Sequence, residues 1–148
     1  MNKEQKAREL FLSSYNCAQS TFSVFADELH VDKQKALAIS AGFGAGVCYQ
    51  GRSCGAVIGA YMALGLHSGN LYNNPEMLKE NTYQLIKEFN RQFESIHGIT
   101  ICKELIGFDL STTQGIELGK SSGVFKTKCP KLVETAVSIV DVLIREQD

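Results

Sequence analysis

Apolar residues recur along this chain at the spacing of amphipathic helices, and the breaks between them fall at glycine, asparagine and aspartate. Residues 2–13 read as a first short helix with Leu10 and Phe11 apolar, followed by Tyr15. Asn16 is placed to cap a second helix, whose apolar positions Phe22, Phe25, Ala26 and Leu29 keep helical spacing. Asp32 caps a third through Ala36, Leu37 and Ile39, and the stretch Gly42–Gly46 stops it, because glycine permits tight turns. The segment Cys54–Leu66 is apolar on every side, which predicts the central buried helix. Gly59 and Gly65 inside it lower helix propensity, so another element is expected close against its backbone.

Residues 68–74 read as a loop, and Pro75 opens the clearest helix, running to Ile96 with a stripe of Tyr83, Ile86, Phe89, Phe93 and Ile96. Gly98 ends it. Ile99–Cys102 is β-branched and extended in character, and Lys103–Ile106 forms a turn of helix closed by Gly107. Between Asp109 and Phe125, glycine recurs at 115, 119 and 123, which suits a loop or a thin, closely packed helix. The last helix starts at Pro130 and carries Leu132, Val133, Ala136, Val137, Val140, Leu143 and Ile144. The expected fold is all-α: one domain over residues 1–148, a bundle of about five to seven helices around Cys54–Leu66, with negligible strand. No repeat, linker or low-complexity tract divides the chain.

Composition adds exclusions. Of 148 residues 44% are hydrophobic and 21% charged, as expected of a globular chain with a core. The balance of 15 basic and 16 acidic residues leaves a net charge of -1 and no excess of cations to neutralise phosphates, so nucleic acid is not an expected partner. The longest apolar stretch, Ala56–Leu66, is too short to span a bilayer, so no membrane role is expected. The first nine residues are charged and lack the apolar core of a secretory signal, and the expected location is cytoplasmic.

In a reducing compartment, five cysteines point to packing, metal binding or redox chemistry rather than structural disulfides. Cys17, Cys54, Cys102 and Cys129 each fall at or near a predicted helix start. Unpaired N–H groups and the positive end of the helix dipole favour an anion there, so these thiols are expected to have depressed pKa values and to react well below pH 8.5. Cys129 is the best placed, with Pro130 as the first helical residue and Lys128 and Lys131 beside it. The plain alternative is that cysteine, a small hydrophobe, only fills the core. There is no Cys-x-x-Cys and no zinc-finger spacing; Cys48 and Cys54, closest in sequence, have a spacing that permits a bridge without demanding one. His30, His67 and His97 are scattered and read as solvated or capping, and Asp109 reads as a cap. No GxGxxG, P-loop or GxSxG is present.

The segment Cys54-Gly55-Ala56-Val57-Ile58-Gly59 is a CGAxxG motif. Together with Tyr15–Ala18, Phe43–Gly46, Ile101–Gly107 and Lys128-Cys129, it makes nearly the whole chain resemble the redox-active protein family named for four cysteines and that motif. The resemblance carries Cys17, Cys54, Cys102 and Cys129 over as the family's cysteines, with Gly55, Ala56 and Gly59 completing the motif and Cys48 outside it. Ala45 stands where a third glycine is expected. The family is distantly similar to the helical part of a split-Soret cytochrome, but the haem-binding Cys-x-x-Cys-His is missing, so haem does not transfer. Gly55 and Gly59 clear space beside Cys54 for another backbone, a cluster or a substrate, and so count as candidate binding residues.

Three functions follow as expectations. The cysteines form a thiol–disulfide set acting on a small molecule or protein partner, with Cys54 as nucleophile and Cys102 or Cys129 resolving. Alternatively, Cys17, Cys54, Cys102 and Cys129 ligate a metal ion or iron–sulfur cluster. In the third, the protein is a non-catalytic helical binding module. The electron or thiol partner and the oligomeric state, a homo-oligomer included, stay open.

Overall fold

In the computed structural model, which describes residues 1–148, eight right-handed helices form the fold. They are α1 (Lys3–Ser13), α2 (Cys17–Ser23), α3 (Lys33–Ser40), α4 (Gly55–Leu71), α5 (Pro75–His97), α6 (Cys102–Ile106), α7 (Thr113–Ser122) and α8 (Val124–Glu146). That is one more than the upper end of the sequence expectation; the addition is α7, built where glycine spacing left loop and helix open. The only strand-like pairing is an isolated antiparallel bridge, Ser53 with Ile101. No helix is long and apolar enough to cross a membrane.

The starts of the helices follow local chemistry. Asn2 and Asn16 each accept the N–H three residues on, while Gln5 and Gln19 return a bond to the cap N–H. Each such capping box satisfies two otherwise unpaired donors, and its cap residue contributes roughly 1 kcal/mol. Asp32, Asn74 and Thr112 cap α3, α5 and α7 in the same sense. Pro75 is the first residue of α5, where its missing N–H costs nothing.

One hydrophobic cluster of 28 buried residues joins seven helices, and Ile116 of α7 packs against it. Helix α4 is its centre, packed against α2, α5 and α8. It continues to Leu71, past the expected end at Leu66, with Ser68 buried and its hydroxyl donating to the Leu64 carbonyl. His67 is buried beside it and pairs with Gln147 at 2.9 Å, which corrects its reading as solvated or capping. A Cβ at Gly59 would meet the Ala18 carbonyl oxygen at 2.7 Å, so this glycine is what lets α2 cross α4. Gly65 shows no such close approach: its nearest neighbour, Thr82, is at ordinary contact distance.

Helix α5 buries Leu85, Phe89 and Phe93, one residue every four. Tyr83 and Ile96, assigned to its stripe from sequence, are 57% and 60% exposed. Helix α8 starts at Val124, not Pro130. Gly123 in a left-handed conformation (φ 79°) begins it, and Pro130 is built into its interior. Proline there deprives the Lys126 carbonyl of its helical donor. Burial of Pro130 together with Leu132, Val133, Ala136 and Val137 holds the helix across that defect.

Candidate functional site

Three cysteines sit at helix starts, as the sequence implies. Cys17 is the first residue of α2, Cys102 the first of α6, and Cys54 is the N-cap of α4. Cys129 does not: it lies one turn and more inside α8, because the helix begins five residues earlier at Val124. Paired extended segments bring two of them side by side. The Cys54 N–H donates to Thr100 at 2.8 Å and the Cys102 N–H donates to Arg52 at 2.7 Å.

All four cysteines line one cavity of about 380 Å³. Its lining runs from the end of α1 through α2, α4, α6 and α7 to α8, and 13 of its 18 residues are hydrophobic. Cys54 and Cys102 are buried, while Cys17 and Cys129 are half-buried. All five cysteines are free thiols, and Cys48, which is exposed, is not part of the cavity wall. No group of three or more His, Cys, Asp or Glu side chains is arranged to hold a single metal ion.

Glycine makes the gathering of sulfurs sterically feasible. A Cβ added to Gly55 would fall on the Cys17 sulfur and within 2.8 Å of the Phe43 carbonyl oxygen. A Cβ at Gly46 would meet the Arg52 nitrogen at 2.6 Å and the Cys102 Cβ at 2.8 Å. Gly55 therefore belongs to the cavity wall, whereas Gly59 serves the α2–α4 crossing and does not line it.

Between the 3₁₀ turn Ala41–Phe43 and the bridge at Ser53, the backbone adopts a feature absent from the sequence reading. Ala45, Gly46, Val47, Cys48 and Tyr49 all have positive φ, from 53° to 69°. Five consecutive residues in this region make a left-handed turn of helix, and four of them carry a Cβ. The steric cost is roughly 1–2 kcal/mol for each such residue. Strain of this kind persists only where surroundings over-determine it, and it concentrates at functional sites. Here the turn is fastened by Arg52 N–H to Gly46 O at 2.9 Å and carries Ala45 and Tyr49 into the cavity wall. The glycines at 44 and 46 were the available signal for a turn; nothing local announces that Val47 or Tyr49 would share its handedness.

Burial governs the thiols. It pushes Cys102 and Cys129 up to about 12, and Cys54 further, above the ordinary thiol value. Cys17 is also raised by burial. The expected depression of these pKa values is thus reversed: removing a thiolate from water outweighs what a helix start offers. A second cause is mutual. Charge on Cys17 disfavours charge on Cys54, Cys102 and Cys129, and charge on Cys102 disfavours charge on Cys54 and Cys129, so Cys17 and Cys102 each couple to the other three. Cys17 differs from its companions in what opposes burial. Backbone N–H groups of Ala45, Ala18 and Gly55 reach its sulfur besides its own. Cys54 has such help from Val57 and Ala56 only, and Cys129 has the Lys128 cation.

The only formally charged residue in the wall is Lys120 of α7. With Phe11, Tyr15, Tyr49 and Phe125, it is a part of the site that motif reading did not single out. Nothing in the local pattern marks Lys120 among fifteen lysines and arginines.

No curated protein and no solved structure matches this chain. A family model does, over residues 15–143, and its description reads "Putative redox-active protein (C_GCAxxG_C_C)". That span contains all four cavity cysteines and every helix but α1 in whole or in greater part. The chain belongs to this redox-active family.

Proposed function

We propose that the protein is a thiol–disulfide oxidoreductase whose centre is Cys17, Cys54, Cys102 and Cys129, with Cys17 as the attacking sulfur. The observation that carries this reading is the convergence of four cysteines, from four helices, on one cavity. This moves the nucleophile from Cys54, the first expectation, to the sulfur that faces the most N–H donors.

The chemistry balances with a disulfide as electron acceptor. The Cys17 sulfur loses its proton and attacks one sulfur of the acceptor, forming a mixed disulfide and releasing the other sulfur as a thiol. Cys54, Cys102 or Cys129 then gives up its proton and attacks Cys17, expelling the second acceptor sulfur. Two protein thiols become one disulfide, and the acceptor gains two electrons and two protons. During attack one negative charge is spread over three sulfurs. The backbone N–H groups of Ala45, Ala18 and Gly55 favour charge on that sulfur, which is how fixed donors lower a barrier. At rest the thiols stay protonated, and neutral sulfurs resist adventitious oxidation.

The reading is tested in a Cys48→Ser background by mixing reduced protein with a small aromatic disulfide and quenching in acid. The expected product lacks two hydrogens per chain. Removal of the resolving cysteine should trap a mixed disulfide on Cys17. A Cys17→Ser protein oxidised as fast as its parent sinks the proposal.

The donor set favours a second reading. The sulfurs are not arranged to hold one metal ion, but the cavity wall offers four sulfurs and no imidazole or carboxylate, a donor type that suits an iron–sulfur cluster. Cys17, Cys54, Cys102 and Cys129 would hold such a cluster, and it would supply one-electron transfer. The N–H groups facing Cys17 and Cys54 would then stabilise bound thiolates. Iron and sulfide in anaerobically purified protein at stoichiometric amounts decide for this reading over the first.

A further inference from the structure

The cavity that gathers the sulfurs also has a chemical character away from them. Its wall is mostly apolar, contains no Asp or Glu, and has one cation, Lys120. Lys120 is exposed and takes part in none of the ion pairs of the molecule. A cation with no acidic neighbour in the wall leaves the cavity with an uncompensated positive charge at its rim. Phe11, Tyr15, Ile116 and Phe125 supply rings and apolar surface to the same wall. The volume, about 380 Å³, lies in the range of small-molecule sites.

We propose that the disulfide this centre reduces is a small, largely apolar molecule bearing one acidic group, its apolar body on Phe11, Tyr15, Ile116 and Phe125 and its anion at Lys120. This rests on the thiol–disulfide reading and narrows its substrate from any disulfide to this class. The arrangement separates two tasks. Apolar walls bind the body and exclude water from the sulfurs, while Lys120 orients the molecule so that its sulfur end enters first. A neutral molecule of the same shape gains the first contribution and lacks the second. Lys120 itself touches no reacting atom and acts as an orienting residue.

Two reagents of similar aromatic body but different charge test this: the dianionic disulfide dithiobis-nitrobenzoate and the uncharged dithiodipyridine. Rates of mixed-disulfide formation at Cys17 are measured in reduced protein carrying Cys48→Ser, each divided by the reagent's rate with free cysteine. The expected result is a preference for the anionic reagent, reduced about fivefold by Lys120→Gln and reversed by Lys120→Glu, with the neutral reagent unaffected. That magnitude is what one partly exposed ion pair contributes. Phe125→Ala should slow both reagents alike. Lys120 is on the surface, so its variants are expected to fold, and far-ultraviolet dichroism verifies that they do. Equal normalised rates for both reagents, or a preference untouched by Lys120→Gln, overturn the proposal while leaving the redox centre standing. If neither reagent modifies Cys17, the thiol–disulfide reading fails and this inference falls with it.

Discussion

Between Pro75 and His97 the chain follows its local propensities, whereas between Gly44 and Cys54 it works against them. Helix α5 has proline at its first position, an asparagine cap and a buried face of Leu85, Phe89 and Phe93. Phe89 and Phe93 stack at 5.6 Å, and Tyr61 meets Phe89 edge-on at 5.9 Å. Each choice there points to the same answer. The other stretch places Ala, Val, Cys and Tyr in a left-handed turn and delivers Ala45 and Tyr49 to the cavity lined by the four thiols. Local rules fail there because several distant elements, α2, α4 and α6, fix the backbone together. Departures from local preference are expected where function, rather than stability, sets the structure.

The contrast is open to attack by substitution. The largest expected effect is at Phe89, which is fully buried: Phe89→Ala should lower unfolding free energy by about 3–5 kcal/mol. Urea denaturation measures this, and Cys17 reactivity at low urea should be unchanged, since Phe89 does not line the cavity. Gly55→Ala should behave in the opposite way. Alanine in a helix normally gains about 1 kcal/mol over glycine, but here the added methyl falls on the Cys17 sulfur. We expect a net loss of about 1–3 kcal/mol, in the range of overpacked cores, together with loss of Cys17 reactivity. A stabilised Gly55→Ala protein with normal reactivity breaks the comparison.

A pH effect comes next. Thiols in the unfolded chain titrate near pH 8.5. Folded Cys102 and Cys129 keep their protons to about 12, so above pH 8.5 the folded state binds more protons than the unfolded. Their contribution is complete below about pH 8.5 and is lost as pH rises toward 12. Urea midpoints of the reduced protein should therefore fall across that window, and less steeply after Cys129→Ser. The smallest effect is at Val47, β-branched and left-handed at φ 67°. Val47→Gly should stabilise the protein by up to about 1 kcal/mol, because glycine relieves the steric cost. A destabilised variant shows that the Val47 side chain contributes more by packing than its conformation costs.

These effects also mark what could be read from the sequence. The caps at Asn16 and Asp32, the proline start of α5 and the central α4 were legible, because each depends on residues a few positions apart. The start of α8 was not. Pro130 resembles a helix opening locally, and only the packing of Val124 and the residues after Pro130 reveals a longer helix. The four cysteines were legible as a set through their motif, yet their hierarchy was not. That Cys17 faces the most backbone N–H groups depends on where α2 crosses α4, and the raised pKa values depend on burial that no window of sequence contains. Lys120 was invisible for the same reason.

The central claim is that four distant cysteines act as one redox unit around Cys17. A redox titration of the native Cys48→Ser protein against a dithiol–disulfide buffer, followed by mapping of disulfides by mass spectrometry, tests it most directly. The account predicts a two-electron transition whose product is an intramolecular disulfide joining Cys17 to Cys54, Cys102 or Cys129, abolished by Cys17→Ser. Four thiols that remain free across the titration, or a disulfide that forms equally well without Cys17, contradict it.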